Sequence, residues 1–288
     1  MPAEKSPLMT RRHFMRGAIG VGLVGLGSSA WAGRVEPFWT QTTHLDINLR
    51  HLPREFDGFT IAQITDIHVD EGQMRSHFPL ICDRVTSLKP DIIVITGDFI
   101  TSPTRWTQAY YERNLHRLKA REGVYGVRGN HDVRSGANAR GCNMQLAMKA
   151  TGIKELFNKV HTFERDGAKL HLCGVDDPWL GSPDIDKVEA QVGDGEAAVL
   201  LAHEPDYALE YAQNKKFGLV LSGHSHGGQI CLPGGIPIHV PPRSERFPRG
   251  LYQTDGMWHY TNRGLGTIAI HKRFFCRPEI ALIRLKAA

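Results

Sequence analysis

The stretch Asp91-Ile-Ile-Val-Ile-Thr-Gly-Asp98 decides the reading of this chain. Its uncharged, mostly β-branched residues run without alternation, so a strand here is buried on both faces, as in the parallel sheet of an α/β protein. Gly97 allows a sharp backbone turn where the strand ends. Asp98 then projects from the carboxyl edge of the sheet, where open α/β folds build their sites.

Outward from this stretch the same grammar repeats: an apolar strand runs into residue types that bind metals. Residues 61–65 lead to Asp66 and His68, and residues 123–127 lead to Gly129-Asn130-His131-Asp132. Residues 197–202 lead to His203, and residues 217–222 lead to Gly223-His224-Ser225-His226. Carboxylate, amide and imidazole groups therefore collect along one edge. Residues 77–88, 105–119, 139–150, 184–191 and 205–213 read as helices, and with strands at 43–50 and 169–175 they give the alternation of sheets flanked by helices. In the first of these helices Leu80, Ile81, Val85 and Leu88 share the inward face. Residues 234–250, rich in Pro and Arg, read as an irregular exposed loop. Strands at 251–254, 258–262 and 279–285 are expected to complete a second sheet packed on the first.

At 288 residues, 41% hydrophobic and 23% charged, the chain can fill one large core. No Pro/Ser-rich linker, repeat or low-complexity tract divides it, so residues 33–288 read as a single domain. The formal charge of +5 falls to +2, 31 basic against 29 acidic residues, once residues 1–32 are set aside. Without a concentrated basic stripe and interleaved aromatics, a nucleic-acid partner is not indicated. Cys82, Cys142, Cys173, Cys231 and Cys276 are odd in number and show no C-x-x-C spacing, which excludes a zinc ribbon and a dense disulfide framework. Cys173 and Cys231 lie in apolar runs and read as small buried hydrophobes.

Residues 1–32 read as an address: a basic head with Arg11, Arg12 and Arg16, a Gly-rich apolar run over 17–27, and the small-x-small site Ala30-Trp31-Ala32. The paired arginines followed by x-Phe resemble the twin-arginine export signal, which implies the Tat machinery as partner and the periplasm or cell envelope as destination. The apolar run is shorter than the roughly 20 residues that span a bilayer, which disfavours an uncleaved anchor. Cleavage is expected after Ala32.

Two divalent cations close together need a ligand that touches both, and Asp98 is the candidate bridge. One cation takes Asp66, His68 and His226, and the second Asn130, His203 and His224, each sharing Asp98. Asp66 and His68 are two residues apart, as are His224 and His226, so within each pair the side chains can leave the strand end in one direction. Mixed imidazole and carboxylate donors suit manganese, iron or zinc better than calcium. Taken singly, His68 reads as a structural histidine; the ordered series carries the signal. His44, His116, His171 and His271 keep the structural reading, and Asp70, Arg128 and Arg134 read as solvated-loop residues. Asp132 reads as a support for its loop or for His131.

The set Asp66-x-His68, Gly97-Asp98, Gly129-Asn-His-Asp132, His203 and Gly223-His-x-His226 resembles the calcineurin-like metallophosphoesterase superfamily across about residues 57–285. Gly223-His-Ser-His-Gly-Gly-Gln-Ile230, Asn262-Arg-Gly-Leu-Gly266 and Cys276-Arg-Pro-Glu-Ile280 are similar to its exported bacterial phosphodiesterases. The resemblance implies a four-layer α/β/β/α sandwich and a dinuclear centre that activates water for attack on phosphorus. It also implies Asp98 and His131 as catalytic residues, His131 protonating the leaving oxygen without being a ligand. The expected function is a phosphodiesterase or pyrophosphatase acting on a cell-envelope phosphodiester or a UDP-linked lipid diphosphate such as UDP-diacylglucosamine. A phosphomonoesterase or protein phosphatase could use the same residues, and so could a metal-binding scaffold without turnover. Arg243, Arg246 and Arg249 form either a solvated loop or a contact with a second phosphate or an anionic membrane surface.

Overall fold

The computed structural model describes Met15 and residues 25–71, 74–104, 106–135 and 142–287. The first sheet holds β1 (Gln41–Leu49), β2 (Thr60–Ile64), β3 (Ile92–Thr96), β4 (Val124–Val127), β5 (Lys154–Glu155) and β14 (Glu279–Ala287) in the order β1-β14-β2-β3-β4-β5. The second holds β6 (Lys159–Arg165), β7 (Ala168–Gly174), β8 (Ala197–Leu201), β9 (Leu219–Ser222), β12 (Gly250–Thr254) and β13 (Met257–Thr261) in the order β12-β13-β9-β8-β7-β6. A small ribbon pairs β10 (Cys231–Leu232) with β11 (Ile236–Pro237). Strands β2, β3 and β4 run parallel, as do β7, β8 and β9. Each sheet therefore gathers its carboxyl ends along one edge.

Helices cover the outer faces. Helices α2 (Met74–Ser87), α3 (Thr107–Leu115) and α5 (Met144–Thr151) pack on the first sheet, and α6 (Ile185–Glu189) and α7 (Ala208–Gln213) on the second. Helix α1 spans residues 25–34 and α4 spans Asn130–Ser135. The layering explains why the strands show no polar alternation. In β3, Ile92 and Val94 face the other sheet, whereas Ile93 and Ile95 face the helices. In β8, Ala197, Val199 and Leu201 enter the core between the sheets, and Ala198 and Leu200 meet α6 and α7. Each such Leu, Ile or Val contributes roughly 1.5–3 kcal/mol by leaving water. The result is the four-layer α/β/β/α sandwich.

Two expectations need correction. Helix α2 buries Phe78, Ile81, Cys82 and Val85, a spacing of i, i+3, i+4 and i+7, and leaves Leu80 61% exposed. Ile81 and Val85 lie inward as expected and Leu88 packs partly buried against the same core, so Leu80 alone was misplaced, with Phe78 and Cys82 completing the buried face. Of the three closing strands, β12 and β13 join the second sheet, but β14 returns to the first and pairs with β1 and β2. Its Ala281, Ile283 and Leu285 fill the space between the sheets while Ile280 meets the helical side, so it fits a strand with neighbours on both edges.

The leader expectation falls mostly outside the described residues, including Arg11, Arg12 and Arg16. Within them, the end of α1 packs on the C-terminal segment: the Ala32 carbonyl accepts from Arg273 N at 2.8 Å, and Ser29 Oγ accepts from Lys272 Nζ at 2.8 Å. Among the described residues no helix is long and apolar enough to cross a membrane.

Candidate metal centre

The carboxyl ends of β2, β3 and β4 present Asp66, His68, Asp98 and Asn130, and those of β8 and β9 present His203, His224 and His226. All seven side chains are buried. Five of them sit on left-handed backbone, with φ of 49° at Asp66, 44° at His68, 52° at Asp98, 67° at His224 and 51° at His226. Such non-glycine conformations cost about 1–3 kcal/mol each and persist only where the surroundings over-determine them. Gly97 has φ +96° and no room for more: a Cβ there would lie 2.5 Å from His203 Nδ1.

The side chains form two groups, Asp66 with His68 and His226, and Asp98 with His203 and His224; within each, donor atoms lie within 4.8 Å of one another. Asp98 Oδ2 stands between them, 3.6 Å from His68 Nε2 and 3.1 Å from His203 Nε2. Asn130 Oδ1 is 3.1 Å from His224 Nδ1, on the second group. The rings of His68 and His226 stack at 5.0 Å between centroids. The structure thus brings together every residue expected to ligate.

Hydrogen bonds aim the imidazoles. His203 Nδ1 donates to the Thr96 carbonyl at 2.6 Å, and His224 Nε2 donates to the Pro242 carbonyl at 2.9 Å. A carbonyl only accepts, so in the neutral rings His203 Nε2 and His224 Nδ1 keep their lone pairs for the site. His68 Nδ1 lies 2.6 Å from Thr101 Oγ1, while the buried His68 Nε2 and His226 Nδ1 have no hydrogen-bond partner among the described residues. His203 Nε2 faces an Asp98 oxygen with its own proton already committed elsewhere. That contact calls for positive charge between the two atoms, from a proton or a cation.

The protonation preferences repeat this demand. Burial lowers the pKa of His68 to about 3 and of His224 to about 4, and holds His226 well below its usual value. These three rings are neutral and ready to donate at pH 7. Burial would raise Asp98 and lower His203, but their mutual attraction reverses both shifts. Burial, helped by Asp98 and opposed by His203, raises Asp66 to about 7. A set of buried nitrogens and carboxylate oxygens with unfilled lone pairs fits divalent cations.

His131 follows Asn130 at the start of α4; its backbone N–H donates to Asp98 Oδ1 at 2.9 Å, and its ring meets His68 edge-on. Asp132 accepts from Phe99 N at 3.0 Å, Ile100 N at 3.2 Å and Gly129 N at 3.0 Å, so it ties the β3 and β4 loops together. Asp70 ties the same edge by accepting from Thr101 N. Asp70 and Arg128 thus depart from the solvated-loop expectation, while Arg134 is exposed as expected. Arg128 pairs with Asp176 at 2.9 and 2.6 Å, and Arg134 lines the cavity beside the site.

Sequence reasoning singled out the Asn262–Gly266 motif without a role for it and missed Arg273. Leu265 N donates to the Thr65 carbonyl at 3.0 Å and Gly266 N to the Asp66 carbonyl at 2.7 Å, so the Asn262–Gly266 segment holds the strand end bearing Asp66. The fully buried Arg273 guanidinium donates to the carbonyls of Gly266, Arg263, Gly264, Cys276 and His226, which knits the tail to the His226 turn. Its only sequence signal is the short tail motif beside it.

With this geometry in place, comparison with known proteins is direct. The model of the calcineurin-like phosphoesterase family matches residues 59–228. The chain belongs to this family. Over 286 residues it is 35% identical to the uncharacterized metallophosphoesterase YkuE of Bacillus subtilis, covering 97% of this chain and 98% of the relative. It is 25% identical to phosphodiesterase YaeI of Escherichia coli, covering 96% of this chain and 100% of the relative. It is also 25% identical to the UDP-2,3-diacylglucosamine pyrophosphatase LpxG of Chlamydia trachomatis, covering 88% and 92%. This calcineurin-like phosphoesterase is a metal-dependent phosphoester hydrolase.

Proposed function

We propose that this phosphoesterase is an exported phosphodiesterase or pyrophosphatase that hydrolyses an amphipathic cell-envelope substrate, either a phosphodiester or a nucleotide-linked lipid diphosphate. The carrying observation is a cavity of about 500 Å³ with two unlike ends. Its lining, which includes Arg134, groups Asp98, Asn130, His131, His224 and His226 at the metal centre, and Ile230, Ile238, Ile268 and Ile270 apart from them, tied together by Ile238 N on the Ile230 carbonyl and by Gln229 Nε2 on the carbonyls of Ile268 and Ile270. Ile238 and Ile270 are 64% and 54% exposed, and an aliphatic chain laid on them would gain about 0.8 kcal/mol per buried methylene. A phosphate at the polar end and an acyl chain at the apolar end match that shape. The Chlamydia relative, named for a diacylated UDP-sugar, supports the same substrate class here.

Asp66, His68, His226 and Asp98 would hold one cation, and Asn130, His203, His224 and Asp98 the other. Manganese, iron and zinc suit these donors. The cations supply Lewis-acid neutralisation of phosphoryl oxygens and activation of water near neutral pH. The chain itself supplies placement and a proton. His131, half-buried on the cavity wall, donates to the leaving oxygen, and Arg134 offers charge to a second phosphoryl group. Trp179, 5.7 Å edge-on to His224, closes that side.

Export by the Tat machinery, with the periplasm or envelope as destination, is supported by Arg11 and Arg12 ahead of the Gly-rich apolar run. Exposed Leu232, Ile236 and Phe275 beside the isoleucine wall support peripheral membrane contact. Arg243 and Arg246 line a separate cavity with Tyr207 and Asp206. N-terminal sequencing of exported protein should start at Gly33; a start at Met1 would refute cleavage.

The decisive assay compares metal-loaded protein on bis-p-nitrophenyl phosphate, p-nitrophenyl phosphate and a UDP-linked diacyl lipid. Diester should exceed monoester, and the lipid should exceed its deacylated headgroup in kcat/KM; equality in the second comparison removes the amphipathic reading. His131→Ala should keep the metal content and lose about 10²–10⁴-fold in kcat. A wild-type rate would reassign the acid.

A further inference from the structure

Two of the five cysteines meet under the turn that carries His226, away from the cavity. Cys231 opens β10, and Cys276 lies in the segment that leads into β14. Both are buried and both are free thiols. Their sulfurs lie against one acceptor, the Gly227 carbonyl, at 3.2 Å from Cys231 Sγ and 3.4 Å from Cys276 Sγ. The backbones are paired as well: Cys231 N donates to the Phe274 carbonyl at 2.8 Å, and Ile230 bridges to Phe274. The other three thiols lie in the outer cores, Cys82 and Cys142 beneath α2, α3 and α5, and Cys173 beneath α6 and α7.

We propose that Cys231 and Cys276 form an oxidisable pair whose disulfide staples the His224–His226 turn to the C-terminal segment. Two arginines flank the sulfurs, Arg249 Nη1 at 3.9 Å from Cys231 Sγ and Arg273 Nη1 at 3.9 Å from Cys276 Sγ. The reaction is exchange with a small-molecule or protein disulfide. One cysteine attacks that disulfide, forms a mixed disulfide and expels a thiol. The second cysteine then attacks the first cysteine's sulfur and expels the other thiol. The pair gives up two protons and two electrons, and the reagent disulfide becomes two thiols. Because both sulfurs are buried, exchange proceeds during folding or through opening of the β10–β11 ribbon.

The gain lies in the turn. His224, His226 and Gln229 all have positive φ, 67°, 51° and 58°, and Cys276 Sγ already lies 3.3 Å from the His226 carbonyl. A bond across residues 231–276 removes open conformations in which this strained turn would relax.

The test incubates the full chain with glutathione disulfide during refolding, alkylates remaining thiols in denaturant, and maps the peptides. A single linkage between Cys231 and Cys276 is expected, with Cys82, Cys142 and Cys173 alkylated. Cys231→Ser and Cys276→Ser should each abolish it, and Cys173→Ser should keep it. Compared with the reduced chain, the oxidised chain should show a Tm higher by about 5–10 °C and slower loss of bound manganese or zinc to a chelator. Five alkylated cysteines after oxidant, or a linkage through any other cysteine, overturns the pairing. A correct linkage with unchanged Tm and unchanged metal loss overturns the staple. Neither readout depends on which phosphoester the protein hydrolyses.

Discussion

In the group of Asp66, His68 and His226, His68 is steadied by a side chain, the Thr101 hydroxyl 2.6 Å from Nδ1. In the group of Asp98, His203 and His224, both imidazoles are steadied by backbone, through the carbonyls of Thr96 and Pro242 at 2.6 and 2.9 Å. The donors are alike and the supports are not. A point mutation can delete a hydroxyl but not a carbonyl, so the first group can be loosened from outside while the second has to be attacked at its ligands or its backbone.

Asp98→Ala should do the greatest damage, because its Oδ2 faces a histidine of each group. Metal analysis of the purified variant should show both sites depleted, and turnover should fall by more than the roughly 100-fold that losing an outer contact costs. Retention of both metals would break the bridging assignment.

Gly97→Ala attacks the backbone between the groups. The new Cβ meets His203 Nδ1 and Gly129 N, so a loss of at least about 2 kcal/mol in denaturant unfolding is expected together with weakened metal binding. Gly58 has a similar φ of +83° but open space around it, so Gly58→Ala should cost only the backbone preference of about 1–2 kcal/mol and leave metal content intact.

Thr101→Val sharpens the comparison itself. Among the described residues it removes the only side-chain hydroxyl bonded to an imidazole of the two groups, and it should weaken one of two metal-binding steps by about 10–100-fold, leaving the other near wild type in a calorimetric titration. Equal weakening of both steps would mean that the groups do not load independently. The smallest effect is expected from Ile238→Asp, with KM for an acylated substrate raised several-fold and KM for bis-p-nitrophenyl phosphate unchanged. A similar change for both substrates would remove the wall's role in recognition.

Much of this was legible in the sequence because β-strand ends are local. The unbroken apolar run before Asp98 announces a strand with two covered faces, and the ligand types follow each such run directly. Phase was harder to read: Leu80 and Ile81 are neighbours in sequence and differ by about 100° around a helix, so composition alone could not say which faces the sheet. The placement of β14 was invisible for a different reason. Its residues suit any buried strand, and the choice between sheets is made by edges that its own sequence does not describe.

By itself, the sequence determined the kind of donor and the order in which the chain presents it, since both follow from residues adjacent to a strand end. Tertiary structure alone decided the grouping. The first sheet supplies Asp66, His68, Asp98 and Asn130 and the second supplies only imidazoles, so each group of three draws on both sheets and exists only once they pack. The isoleucine wall, the carbonyls behind His203 and His224, and the meeting of Cys231 with Cys276 arise in the same way, from segments distant in sequence that burial forces together.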